Sequence, residues 1–109
     1  LASYERTQHI IANQLIEIEG DMAASESYFH AHHVVNSPQG EINIVVAGRY
    51  LDRLERRANG WKISHRGVVY DWNRIDPSTD GWKAEPIASQ LPRGQASVQD
   101  PSYALFGPR

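Results

Sequence analysis

The chain has no cysteine, which excludes disulfides, thiolate metal sites and cysteine nucleophiles. It has no excess of positive charge either. Eleven Lys and Arg stand against 13 Asp and Glu, for a net charge of −2, so no basic field for nucleic acid is expected. Lys and Arg do gather between residues 49 and 66, but acids interleave with them. No run approaches ~18 consecutive apolar residues, so no segment is expected to cross a bilayer. No charged-then-apolar leader opens the sequence, so no secretory signal is expected. Internal repeats and low-complexity tracts are missing too. These absences suit a cytoplasmic protein. What is there is 109 residues, 40% of them hydrophobic, the size of one small domain or part of one.

Most of the chain reads as β-structure. Residues 6–19 are extended, with Ile10, Ile11, Leu15, Ile16 and Ile18 supplying strand-favouring bulk. Gly20-Asp21 is a turn signal, and residues 22–35 form the returning strand. Residues 36–40, "NSPQG", break the run. Residues 41–57 carry a helical period in their second half, but Ile42, Ile44, Val45, Val46 and Tyr50 favour a strand. Asn59-Gly60 is a strong hairpin signal, and residues 61–73 form a fourth strand. From Asp76 onward Pro and Gly recur without a period. The expected division is a sheet core over 1–76 and an irregular tail over 77–109. The expected fold class is α+β, a curved four-stranded antiparallel sheet. A sheet with two such faces needs cover, and no amphipathic helix is evident here. The covering helices are expected upstream of residue 1 or on another chain.

Pairing through the turns predicts which side chains share a face. A two-residue Gly20-Asp21 turn sets His9 opposite His32, Ile11 opposite His30 and Asn13 opposite Tyr28. His9, His30, His32, Asn13 and Tyr28 then form one polar patch. In the second hairpin, a three-residue loop over 58–60 sets Arg66 opposite Asp52, Tyr50 opposite Val68 and Gly48 opposite Tyr70. That register joins opposite charges, and its face carries Tyr50, Asp52, Ser64, Arg66 and Tyr70.

His9 opens three readings: a surface residue, a metal ligand or a proton-transfer base. "HAHH" over 30–33 puts His30 and His32 on one face, where His9 joining them would make three imidazoles. Without a distinct acidic second shell, a metal is not expected. His32 is expected to line the pocket and His33 to face away.

"HIIANQLIE" with its following "GD", then "GRYLDRLERRANGWKISHRGVVYDW", resembles the SnoaL-like proteins of the nuclear-transport-factor-like (NTF2-like) superfamily. Within it the chain is similar to the branch of hexachlorocyclohexane dehydrochlorinase, bile-acid dehydratase and scytalone dehydratase. "DPSY" at 100–103 is also similar to the tail of many members. The resemblance implies a cone-shaped fold in which a curved sheet wraps against N-terminal helices, here absent from the chain. It implies elimination of water or HCl without a cofactor or metal. The family's base histidine matches His9, and its last-strand arginine, which handles a leaving group or anion, matches Arg66. The family's orienting aspartate, on an N-terminal helix, has no counterpart here. The expected function is therefore a dehydratase-like lyase or isomerase acting on a small apolar cyclic substrate. Asn13, Tyr28, His32, Tyr50, Asp52 and Tyr70 would shape its pocket. The alternative is a non-catalytic ligand-binding or oligomerisation module. The expected partners are a small molecule and further copies of the chain, as dimer or trimer, with neither nucleic acid nor membrane.

Overall fold

The computed structural model describes residues 4–108. Four long strands follow one another: β1 (Tyr4–Glu19), β2 (Met22–Ser37), β3 (Gly40–Arg57) and β4 (Gly60–Pro77). They form one antiparallel sheet in the order β1-β2-β3-β4. This meander and its turns follow the sequence closely, and β4 runs four residues beyond the expected Asn73. Gly20 opens the first turn with φ at 62°, a conformation that costs glycine little.

The core is thin and central. Phe29, Ala31, Val34, Val35, Val45 and Ala47 are its buried hydrophobic residues, all on β2 and β3. The edge strands β1 and β4 expose most of their length. The sheet thus has two accessible faces, and its pleat decides what each presents.

That pleat is interrupted by bulges. In β1, Gln14 pairs with Ser27 but Ala12 pairs with Tyr28, which leaves Asn13 as an extra residue. Asn13 sits at φ 49°, in the left-handed region that asparagine tolerates better than most side chains. In β4, Ile63 pairs with Leu54 and His65 with Arg53, so Ser64 is extra. A further shift places Asp71 between Tyr70, opposite Gly48, and Trp72, opposite Ala47. Each added residue reverses the facing of everything beyond it.

The tail is less irregular than its sequence suggests. It holds a 3-10 turn at Gly81–Lys83 and a six-residue helix α1 (Pro101–Phe106). Asp100 caps α1 by accepting from the Ser102 amide at 2.9 Å, and Pro101 occupies its first turn. Gly107 ends it, its N–H bonded to the Tyr103 carbonyl. Asp100-Pro101 at its start and Gly107 at its stop punctuate this helix, in a segment whose prolines otherwise read as loop. The tail is tied to one end of the sheet. The Ser78 amide donates to the Glu41 carbonyl at 2.9 Å, and Lys83 pairs with the Glu41 carboxylate. Asp80 takes Arg93 at 2.6 Å and Arg6 at 3.4 Å. Lys83 holds the Glu41 carboxyl below its usual range, and Arg93 does the same for Asp80. No helix among the described residues is long and apolar enough to cross a membrane.

Candidate functional site

One face of the sheet encloses a hollow of about 720 Å³. The two bulges build it. Before Asn13, odd residues of β1 face the hollow: His9 and Ile11. After it, even residues do: Gln14, Ile16 and Ile18. Ser64 has the matching effect on β4, where Ile63 and Arg66 both line the hollow. Without these insertions half of each edge strand would present its polar side inward.

At one end of the hollow His9 meets His33. Their Nε2 atoms lie 3.3 Å apart, with ring centroids 5.2 Å apart and nearly edge-on. One nitrogen must donate and the other accept, so the two rings hold complementary tautomers. Tyr4 packs on His33 with centroids 4.9 Å apart. The His33 ring is held below its ordinary pKa, first by burial and then by the neighbouring His9, against the raising effect of the hydrogen bond it donates to the Ile44 backbone. A histidine of lowered pKa contributes stability that is present above the ordinary value of 6.5 and lost as pH falls through the folded value. His33 should therefore titrate by NMR with a midpoint below 6.5. In a His9→Gln variant that midpoint should rise, though burial keeps it from recovering fully. A His33 midpoint that ignores the change at residue 9 would separate the two rings.

At the other end stands Arg66. Its Nε and Nη2 donate to the two oxygens of Asp52 at 2.8 and 2.9 Å. The Asp52 side chain is only 4% exposed, whereas that of Arg66 is 43% exposed. The guanidinium lies 4.0 Å from the Tyr50 ring centre, and Tyr50 stacks on Phe29 at 4.6 Å. Asp52 raises the Arg66 pKa further through this hydrogen-bonded pair. The fork is thus fixed from below and from the side, and its remaining N–H groups are free to meet a ligand. Replacing Arg66 with Met would keep much of the bulk over Tyr50 but leave a buried carboxylate alone. Allowing for the half-exposed partner, about 2–3 kcal/mol of stability should be lost near neutral pH, as read by urea unfolding. An unchanged unfolding midpoint would remove Asp52 as the anchor.

The predicted site residues divide. His9, Tyr50, Asp52 and Arg66 line the hollow. The expected pairing of Arg66 with Asp52 is present, but its cause is the Ser64 bulge. Arg57 itself pairs with Gly60, leaving a two-residue turn rather than a three-residue loop. The expected polar patch around His9 is not formed. The Asn13 bulge shifts β1 by one residue, so His9 stands opposite Ala31 and Gln8 opposite His32. His32 turns to the other face, where its Nε2 lies 3.2 Å from Asn43 Oδ1. Tyr28 also falls on that other face, and Asn13 is spent in the bulge. Tyr70 keeps the pleat of the cavity face but is 73% exposed and borders a separate shallow hollow with Val46. The grouping of His9 with His30 and His32 is likewise undone. Among the described residues no cluster of three His, Asp or Glu side chains is placed to hold a metal. His33, expected to face away, is the residue that touches His9.

A curved antiparallel sheet with an apolar hollow, a histidine pair at one end and an anchored arginine at the other marks the α+β cone class. The chain belongs to the SnoaL-like domain family, whose model matches residues 1–67. That family binds small molecules and includes polyketide cyclases and isomerases. Among solved structures the chain is similar to Kfla4162 from Kribbella flavida, with a TM-score of 0.60 and 23% identity over 65% of this chain. It is also similar to Rv3472, a function unknown protein from Mycobacterium tuberculosis, with a TM-score of 0.46 and 27% identity over 62% of this chain. It spans 50% of the first chain and 38% of the second. No curated protein matches it.

Proposed function

We propose that this chain supplies the pocket wall of a cofactor-independent lyase or isomerase in which His9 is the base. The supporting observation is that His9 and Arg66 line one apolar hollow. His33 donates a ring N–H to the Ile44 backbone; with that proton assigned to Nδ1, its Nε2 accepts from His9 Nε2–H. That leaves His9 Nδ1 as a free lone pair, held in one orientation. An imidazole there takes a proton from carbon beside a carbonyl. In elimination the C–H electron pair becomes the C=C bond, and the leaving group departs with its own pair, as halide or as hydroxide that takes the proton back from the His9 imidazolium to become water. In isomerisation the proton returns at another carbon. Both routes are redox-neutral, so neither requires an oxidant or a reductant.

The two ends of the hollow are far apart along the sheet. The row of His9 crosses β2 at Ala31 and that of Arg66 crosses it at Ser25. Six residues and three strand spacings make roughly 20 Å by 14 Å along the surface before curvature shortens it. A substrate touching both is an extended or multi-ring molecule with an oxygen at the end remote from its acidic C–H. Arg66 binds that oxygen and fixes the molecule's register in the hollow, with the acidic C–H at His9.

The test is proton exchange and elimination in D₂O across a panel of multi-ring β-hydroxy and β-halo ketones with a second oxygen at the remote end, followed by NMR. The expected result is turnover by the native chain that disappears in His9→Gln. The second reading is a non-catalytic binding module, favoured by the openness of the hollow, where Ile16 and Ile18 remain 56% and 64% exposed. Saturable binding with no turnover or exchange by the native chain would select it.

A further inference from the structure

The tail lies over one end of the sheet, on the face away from His9 and Arg66. Between tail and sheet is a second hollow, of about 500 Å³, within the usual range for a small-molecule site. Its floor holds the buried Val34 and, beside it, His32. Asn43 Oδ1 can only accept, so the His32 Nε2–H that lies 3.2 Å from it is spent there. β1 supplies Arg6 to the rim, and the tail supplies Asp80, Trp82 and Arg93.

The ion pairs of this rim differ from the pair at the far end of the first hollow. There both oxygens of Asp52 serve one guanidinium. Here one oxygen serves two. Asp80 Oδ2 accepts from Arg93 Nη2 at 2.6 Å and from Arg6 Nη1 at 3.4 Å, while Oδ1 is taken by the Trp82 amide at 3.0 Å. Among the described residues neither guanidinium makes another hydrogen bond, so most donors of both forks are unused. The Arg93 side chain is only 20% exposed, and an unmet donor costs more there than in open water. The lining carries two cations against one anion. Glu41 and Glu5, outside the lining, are engaged by Lys83 and Asn36. A tie between tail and sheet needs one guanidinium on Asp80. The second adds an excess positive charge and a second open fork.

We propose that this second hollow binds an aromatic monocarboxylate. The carboxylate accepts from the unused N–H groups of Arg93 and Arg6 and offsets their excess charge. The ring lies against the Trp82 indole, which is exposed at the rim and whose centre is 5.6 Å from the Arg93 guanidinium carbon. That spacing lets one small molecule meet both groups at once. A single negative charge is selected, because a second would face Asp80 with no cation left to match it. The two hollows share no lining residue, so this site does not rest on the chemistry proposed for His9.

The test is a titration of the full 109-residue chain with naphthoate, read by NMR at the indole N–H of Trp82. Trp61 lines the first hollow, so its own indole signal reports binding there separately. The Trp82 signal is expected to shift and saturate. Naphthamide, of the same shape without the charge, should bind at least about tenfold more weakly. Arg6→Gln should weaken naphthoate by about tenfold, while Arg93 and Lys83 still tie the tail. Should that variant free the tail, seen as a moved Trp82 signal before any ligand is added, the naphthamide comparison still decides. A Trp82 signal that never saturates overturns the proposal. So does naphthamide binding as tightly as naphthoate, or native affinity in an Arg6→Gln chain whose tail stays docked.

Discussion

Gly48→Ala should unfold much of this sheet. A Cβ at residue 48 would lie 2.0 Å from the backbone oxygen of Val69 and 3.1 Å from two ring carbons of Phe29. A side-chain tip could swing away from such a clash, but a main-chain carbonyl in the neighbouring strand cannot. Gly48 pairs with Phe29 on β2 and Tyr70 on β4, directly beside the register shift at Asp71. Relief therefore requires β3 and β4 to part at Gly48. Overpacking of flexible side chains typically costs 1–3 kcal/mol. A clash with fixed backbone sits at or above the top of that range, so about 3 kcal/mol or more is expected. For a single small domain this is a large share of its total stability. The Phe29–Tyr50 stack beneath Arg66 should be displaced with it, so ligand binding at that end should fall along with the thermal midpoint. Gly67→Ala is the internal control. Its Cβ would meet Leu51 at 3.6 and 4.0 Å, ordinary contact distances, so the cost should stay within about 1 kcal/mol. Equal midpoints for the two alanine variants would mean that β3 and β4 are not held this close at Gly48.

The strands and turns were legible because each depends on local chemistry. β-branched runs, Gly20-Asp21 and Asn59-Gly60 all act over a few residues. The pairing of Asp52 with Arg66 was legible too, since only one of two registers joined opposite charges. The facing of β1 was not, because an insertion in the ladder is set by how two strands fit. Yet the sequence carried a trace of it. Ile10-Ile11 and Leu15-Ile16 are apolar doublets around Asn13-Gln14, and a strict alternation cannot place both members of a doublet on one face. Such doublets mark a change of phase, and a residue tolerant of positive φ lies between them. Trp61 and Ile63 followed by Arg66 and Val68 show the same change around Ser64. Reading those phase changes would have brought His33, not His32, to His9. The Asp71 shift has a separate consequence: it frees that carboxylate to meet Arg49 at 3.4 Å on the far face, away from the hollow.

His9→Gln should lower kcat by about 10²- to 10⁴-fold, the usual contribution of a positioned general base. By transition-state arithmetic this is roughly 3–5 kcal/mol. Glutamine keeps a polar group of similar reach beside His33 Nε2, so the hollow should stay folded and KM should change little. A fall in kcat with KM preserved marks an interaction made in the transition state rather than in binding. Arg66→Met should give the opposite pattern in large part, raising KM for substrates with a remote oxygen, because the guanidinium lies at the far end of the hollow. The pH profile separates a base from a mere wall residue. A general base works only unprotonated, so native turnover should carry an acid limb that the residual rate of His9→Gln does not follow. His33→Ala should retain more activity than His9→Gln, since it removes the group that fixes the tautomer and leaves the one that takes the proton. Turnover of His9→Gln within about threefold of the native chain, on a substrate the native chain converts, would remove His9 from the chemistry. The hollow would then be a binding site, with Arg66 as its polar anchor.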